Sequence, residues 1–115
     1  MSRNSSIETA ADICTDTGTQ DVAMKPGNSR VLRCIQKMSM NTGSTKATLV
    51  SFGLKRGNSI IWLGSQVQAA NTQIASIDGP VYAGADYAPM ARVTGGTSGQ
   101  LLSLVVFGYT SDIGI

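Results

Sequence analysis

Turn signals recur along this chain at intervals too short for long helices, and this spacing constrains the fold more than any other feature. Pro26-Gly27-Asn28, Asn41-Thr42-Gly43, Arg56-Gly57-Asn58, Asp78-Gly79-Pro80 and Gly95-Gly96 each place residues suited to a tight reversal. The segments between them alternate and are rich in strand formers. In residues 45–54, Thr48, Val50, Phe52 and Leu54 share one face, and Ala47, Leu49, Ser51 and Gly53 the other. Residues 101–109 set Leu102, Leu104 and Val106 against Leu101, Ser103, Val105, Phe107 and Tyr109. Apolar on both faces, this strand is expected to be central or covered on its outer side. In residues 30–40 the face of Leu32, Cys34, Gln36, Met38 and Met40 is predicted to point inward, and Val31, Arg33, Ile35 and Lys37 outward. Residues 58–63, 73–77 and 90–94 complete the strands. Residues 79–88 read as a loop or an edge segment, because Pro80 and Pro89 argue against a central strand there. Residues 95–99 read as a hairpin turn. The result is an all-β protein, an antiparallel β-sandwich of jelly-roll or immunoglobulin-like order, two arrangements with the same set of short strands.

The first 28 residues differ in character. Apolar residues are sparse, and Thr15-Asp16-Thr17-Gly18-Thr19-Gln20 carries no periodicity. Ile7, Ala10, Ala11 and Cys14 share helical spacing, and Ser5 with Glu8 has the spacing of a capping box. Ile7, Thr9, Ala11 and Ile13 equally fit a strand. The favoured expectation is an extended N-terminal arm that adds a strand to its own sheet or to a neighbour's. Residues 1–28 are accordingly expected to be an arm or docking segment, and residues 29–115 the β-sandwich domain.

Chemistry is limited by what the chain lacks. It contains no histidine, the commonest general base and metal ligand, so neither a Ser-His nor a Cys-His pair can be assembled. Asp78 and Asp86 lie beside turn glycines and prolines, where aspartate bonds its own backbone. Asp12 and Asp16 lack the ligand order of a calcium loop. Gly95-Gly96-Thr97-Ser98-Gly99 has no lysine and precedes a strand, unlike a phosphate loop. We therefore expect no catalytic residue, no metal site, no cofactor and no enzyme activity. Lys55-Arg56 is the only adjacent basic pair, and the net charge is +2, so nucleic acid is not an expected partner. No apolar run approaches the roughly 18 residues of a membrane span. Behind Met1 the run Ser2-Arg3-Asn4-Ser5-Ser6 is polar, so folding in a reducing cytosol is expected, with Cys14 and Cys34 as thiols. Cys34 is read as a core residue. Trp62, within Ile60-Ile61-Trp62-Leu63, is likewise expected in the core.

Charged residues make up only 14% of the chain, well below the usual quarter, and uncharged polar residues replace them. Such a surface costs less to desolvate and suits a protein that neighbours will cover.

Three stretches carry a family resemblance. They are the strand-turn-strand of residues 38–50 (MSMNTGSTKATLV), the Gln-, Ala-, Ser- and Thr-rich segment of residues 66–76, and the closing strand of residues 99–109 (GQLLSLVVFGY). Over residues 29–110 the chain resembles the small β-sandwich virion proteins of tailed bacteriophages, the capsid decoration (cement) and head or tail accessory proteins. The resemblance implies a non-enzymatic structural protein of the virion, assembled in the host cytoplasm and oligomeric as a trimer or dimer. It also implies a partner in the major capsid protein or another virion protein. Candidate partner-binding residues are Ile7, Ile13, Val22 and Met24 in the arm, with Val105, Phe107 and Tyr109 on the last strand. The alternative is a tail- or fibre-associated module that binds host surface glycan through Trp62, Tyr82 or Tyr87.

Overall fold

A computed structural model describes residues 2–24, 31–43, 48–68, 74–84 and 86–112. The turn at Pro26-Gly27-Asn28 and the strand start at Gln73 lie outside the described residues. Eight strands follow in order: β1 (Ser2–Ile13), β2 (Thr19–Ala23), β3 (Val31–Asn41), β4 (Thr48–Arg56), β5 (Ser59–Gln68), β6 (Ile74–Ala83), β7 (Ala88–Thr94) and β8 (Leu101–Asp112). They form two four-stranded antiparallel sheets, ordered β1-β8-β3-β6 and β2-β7-β4-β5.

This order is that of a jelly roll. The chain doubles back at the β4–β5 turn, so that β4 pairs with β5, β3 with β6, β2 with β7 and β1 with β8. The doubled ribbon then rolls up, adding the β3–β8 and β4–β7 ladders. Of the two orders left open by the sequence, the immunoglobulin-like one is thereby excluded. Only the β4–β5 connection stays within a sheet. Its turn at Gly57 has φ of 58°, a left-handed angle that glycine adopts freely. The expected hairpin at residues 95–99 instead carries the chain from one sheet to the other. Gly95 (φ 80°) and Gly99 (φ 86°) make that crossing, and Gly99 N donates to the Cys14 carbonyl at 2.9 Å.

The N-terminal segment is extended, as expected, and adds its strand to its own sheet. β1 lies along β8 from Ser2 opposite Asp112 to Ile13 opposite Leu101, and β2 forms an edge of the second sheet. The boundary expected between residues 28 and 29 therefore falls between strands of one sandwich. Residues 79–88 also contribute more strand than expected. β6 continues through Pro80 as an edge strand, which proline tolerates, whereas Pro89 sits near the start of the interior strand β7.

Between the sheets, Val50, Phe52 and Leu54 of β4 meet Leu102, Leu104 and Val106 of β8, with Met38 and Met40 of β3. From Thr48 onward the faces expected of β4, and the inner face expected of β8, are thus those observed, while Ala47 lies outside the described residues. β3 departs from simple alternation. A register shift between Ile35 and Lys37, seen against both β6 and β8, reverses the faces on either side of it. Met38 and Met40 point inward as expected, but before the bulge Ile35 joins the core and Cys34 does not, although Cys34 is buried. Arg33 turns inward too. Its Nε and Nη2 donate to the two carboxylate oxygens of Glu8, both at 2.9 Å, and its Nη1 donates to the Tyr87 carbonyl at 3.1 Å. A buried guanidinium is tolerable only with such partners.

Candidate assembly surface

The outer side of the β1-β8-β3-β6 sheet follows from the register. Leu102, Leu104 and Val106 face the core, so Leu101, Ser103, Val105, Phe107 and Tyr109 line the opposite side. Across that side, Ile7 lies opposite Phe107, Thr9 opposite Val105, Ala11 opposite Ser103 and Ile13 opposite Leu101. On the other flank of β8, Phe107, Val105 and Ser103 meet Lys37, Ser39 and Asn41 of β3, which meet Asp78, Ser76 and Ile74 of β6. Tyr109 and Tyr82 flank Cys34 from either side.

These rows leave large apolar side chains in solvent. Ile7 is 68% exposed, Tyr82 62%, Ile74 58%, Leu101 51%, Ile13 47% and Phe107 37%. Scattered exposed apolar residues are ordinary, and here six share one sheet face. Between them the small residues Ser39, Asn41 and Ser103 floor a shallow hollow of about 320 Å³, walled by Ile74, Val105 and Phe107. Lys37 and Asp78, opposite each other in the register, bring one charge of each sign to this face.

Five of the seven candidate partner-binding residues, Ile7, Ile13, Val105, Phe107 and Tyr109, fall on this one face. Val22 and Met24 are corrected: they are 4% and 7% exposed and belong to the core. Val22 lies on the short β2 and Met24 just beyond its end, and both side chains pack into the sandwich interior. Sequence reasoning missed Ile74 and Leu101. Leu101 carries the same alternation as Val105 and Phe107, whereas Ile74 is placed on this face only by its pairing with Asn41.

The three aromatics of the glycan reading do not converge. Tyr82 is on the face just described. Tyr87 lies in the β6–β7 connection, packs against the core and has the Arg56 guanidinium 5.8 Å from its ring centre. Trp62 is on the outer side of the other sheet, not in the core as expected. A bulge at Leu63 sets Trp62 opposite Gly53 rather than Leu54, which turns the indole outward. There its ring edge covers Gly53, and it is 46% exposed. The Arg92 guanidinium lies 5.1 Å from the ring centre, and its Nε and Nη2 donate to Asp21 at 2.7 and 3.0 Å. The Asp21 hydrogen bond raises the Arg92 pKa above its ordinary value despite some desolvation, so the cation is permanent.

The remaining acidic groups are occupied locally. Asp12 accepts from Gln20 Nε2 and from the Ile13 amide, and Asp16 accepts from the Gly18 amide. Among the described residues no three His, Cys, Asp or Glu side chains gather where they could hold a metal ion. Cys14 and Cys34 are both buried free thiols. A cleft of about 540 Å³ opens between β1 and β2, and the charged groups in its wall, Glu8 and Arg33, are paired with each other.

No protein-family model matches the sequence, and no curated protein is similar to it in sequence. Solved structures do share the fold. A protein of the virus-like particle of the extra small virus of the giant freshwater prawn Macrobrachium rosenbergii superposes with a TM-score of 0.52 at 12% identity. That match covers 95% of this chain and 78% of the other. A subunit of Bacillus endospore appendages, described as disulfide-linked pili, gives 0.50 at 8% identity over 99% and 93% of the two chains. PirA gives 0.50 at 9% identity over 90% and 93%. The chain is thus a small jelly-roll sandwich whose structural neighbours include virus-particle and pilus proteins.

Proposed function

We propose that this chain is a non-enzymatic structural protein of a virion, a capsid decoration protein that binds and stabilises the head of a tailed bacteriophage. The observation that carries this reading is the outer face of the β1-β8-β3-β6 sheet, where six large apolar side chains stand in solvent. A face of this kind suits a chain that is covered on assembly. The low charge of the whole chain points the same way, and the resemblance of residues 29–110 to phage virion proteins supplies the setting. Two proteins that share its fold, the virus-like-particle protein and the appendage subunit, are themselves parts of assemblies.

The test is binding of the purified chain to heads of the cognate phage prepared without it. Saturable binding, with heads that resist heat or low salt better than bare heads, is the expected result. Absence of binding to both immature and mature heads would overturn the reading. The glycan alternative rests on Trp62 alone, since Tyr82 and Tyr87 lie elsewhere. A glycan array showing a hit that Trp62→Ala abolishes would establish it in place of the head-binding role.

A further inference from the structure

We propose that the outer face of the β1-β8-β3-β6 sheet is closed by the same face of a second copy of this chain, the two sheets stacked in a two-fold dimer. The inference rests on the assembly reading above and names the partner of that face.

Area is the first argument. Four strands at about 4.8 Å spacing, the longest of twelve residues at about 3.4 Å each, give a face of roughly 40 by 19 Å, or about 750 Å². A standard stable interface takes about 800 Å² from each partner. One face of this sheet therefore falls within the range of a standard interface, about 600–1,000 Å² per partner. Stacked sheets lie about 10 Å apart, a gap filled by side chains of the size of Ile7, Ile74, Leu101 and Phe107.

Shape and charge argue for a copy rather than an unrelated partner. A two-fold contact requires one surface to carry both projections and recesses, because each copy presents the same patch. This face has both. Ile74 and Phe107 project, and Ser39, Asn41 and Ser103 leave the hollow of about 320 Å³ between them. Its charges, Lys37 and Asp78, are opposite in sign and adjacent in the register, so the described part of the face carries no net charge. It offers nothing to steer an acidic or basic partner, and two copies meet without repulsion. The other sheet also exposes Leu49, Trp62 and Val67, but its outer side carries the Asp21–Arg92 ion pair set against Trp62, which occupies part of that face.

The experiment measures solution mass by light scattering for the wild type, a Phe107→Lys/Ile74→Lys variant and a Val67→Lys control. Val67 is 71% exposed on β5 of the other sheet, so its substitution leaves the proposed face intact. Thermal melts of all three establish that each is folded. The expected result is twice the 12.0 kDa chain mass for the wild type and the control. Dissociation of the double variant should be at least roughly thirty-fold easier, as for loss of one interface hot spot. A photo-reactive side chain at Ser103 should give chain-to-chain adducts in the wild-type background and none in the double variant.

A wild type that stays at the mass of one chain, or assembles to any multiple but two, would overturn the proposal. So would a dimer indifferent to the double substitution. Head binding is followed in the same preparations and separates the two readings. A monomer whose head binding is lost in the double variant assigns the face to the capsid, so the dimer fails and the assembly reading stands. A dimer that binds no heads leaves the self-association in place and removes the virion reading.

Discussion

Replacing Gly108 by alanine tests the β3 bulge directly. An added Cβ at Gly108 would run into the backbone carbonyl of Cys34, with the Cys34 carbonyl carbon at 3.1 Å and the Gln36 nitrogen at 3.3 Å. On the other flank of β3, a Cβ at Gly79 would meet the Ile35 carbonyl in the same way. The bulge is thus clasped between two glycines, and what each would strike is backbone, which cannot swing aside like a side chain. Overpacking costs about 1–3 kcal/mol when side chains can adjust. Here β3 must move against two ladders, so we expect about 3 kcal/mol. For 115 residues the unfolding entropy is about 0.24 kcal/mol per kelvin, which converts this into a melting temperature lowered by about 12 °C. Thermal denaturation followed by circular dichroism reads the shift. Two control glycines calibrate it. At Gly64 the nearest atom to an added Cβ is Ile77 Cγ2 at 3.6 Å, an ordinary contact, so Gly64→Ala should move the midpoint little. At Gly57 there is open space but φ is 58°, so Gly57→Ala should cost about 1 kcal/mol from the backbone alone. A Gly108→Ala protein that melts within a degree or two of the Gly64→Ala protein would refute the reasoning.

Glu8→Ala removes both carboxylate acceptors of the buried Arg33 guanidinium, whose Nη1 still donates to the Tyr87 carbonyl, and it should cost about 2 kcal/mol. That figure lies below the usual cost of breaking a buried pair because the Glu8 side chain is 30% exposed; urea titration of Glu8→Ala beside a Glu8→Ala/Arg33→Met double variant should show the second substitution recovering part of the loss. Trp62→Ala uncovers the outer side of β4 and removes the ring under Arg92, for an expected loss of about 2 kcal/mol in the same titration. Phe52→Ala, at a fully buried position between the sheets, should cost about 3–5 kcal/mol and leave the protein largely unfolded on warming to physiological temperature, as seen by loss of its cooperative melt.

What the sequence disclosed was alternation, and what it concealed was every departure from it. The faces of β4 are legible because nothing interrupts Thr48, Val50, Phe52 and Leu54. In β3 and β5 one extra residue shifts the period, and a bulge has no signature in a pattern of period two. This is why the alternation places Cys34 on the inner face and Trp62 in the core, and Arg33 and Ile35 on the outer face, whereas Cys34 is buried on the outer face and Arg33 and Ile35 turn inward. Turns were legible as turns, but a glycine at positive φ serves a hairpin and a sheet-to-sheet crossing alike. Residues 95–99 therefore read as a hairpin although they cross between the sheets. The sparse apolar content of the first 28 residues suggested an arm. Val22 and Met24 nevertheless enter the core, because an edge strand needs only a few inward side chains when the interior is already filled from β3, β4 and β8.

The candidate surface depended on pairing between the two ends of the chain. Ile7 and Phe107 are separated by almost the whole sequence, and neither alone distinguishes an exposed apolar residue from an ordinary one. The β1–β8 ladder sets them side by side, with Ile13 and Leu101 in the same relation one row beyond Ala11 and Ser103. The jelly roll does this necessarily, since doubling the chain at β4–β5 makes its first and last strands neighbours. The two sheets then part in character. One sets an ion pair and an indole on its outer side beside the exposed Leu49 and Val67, while the other leaves Ile7, Ile13, Ile74, Leu101 and Phe107 in solvent. If burial of that face contributes at about 25 cal/mol per Å² of apolar surface, half of a 750 Å² face is worth roughly 9 kcal/mol per copy before the costs of association. A contribution of that size is comparable to the net stability of a single domain, so covering the face, as proposed above, would add substantially to the stability of the assembly.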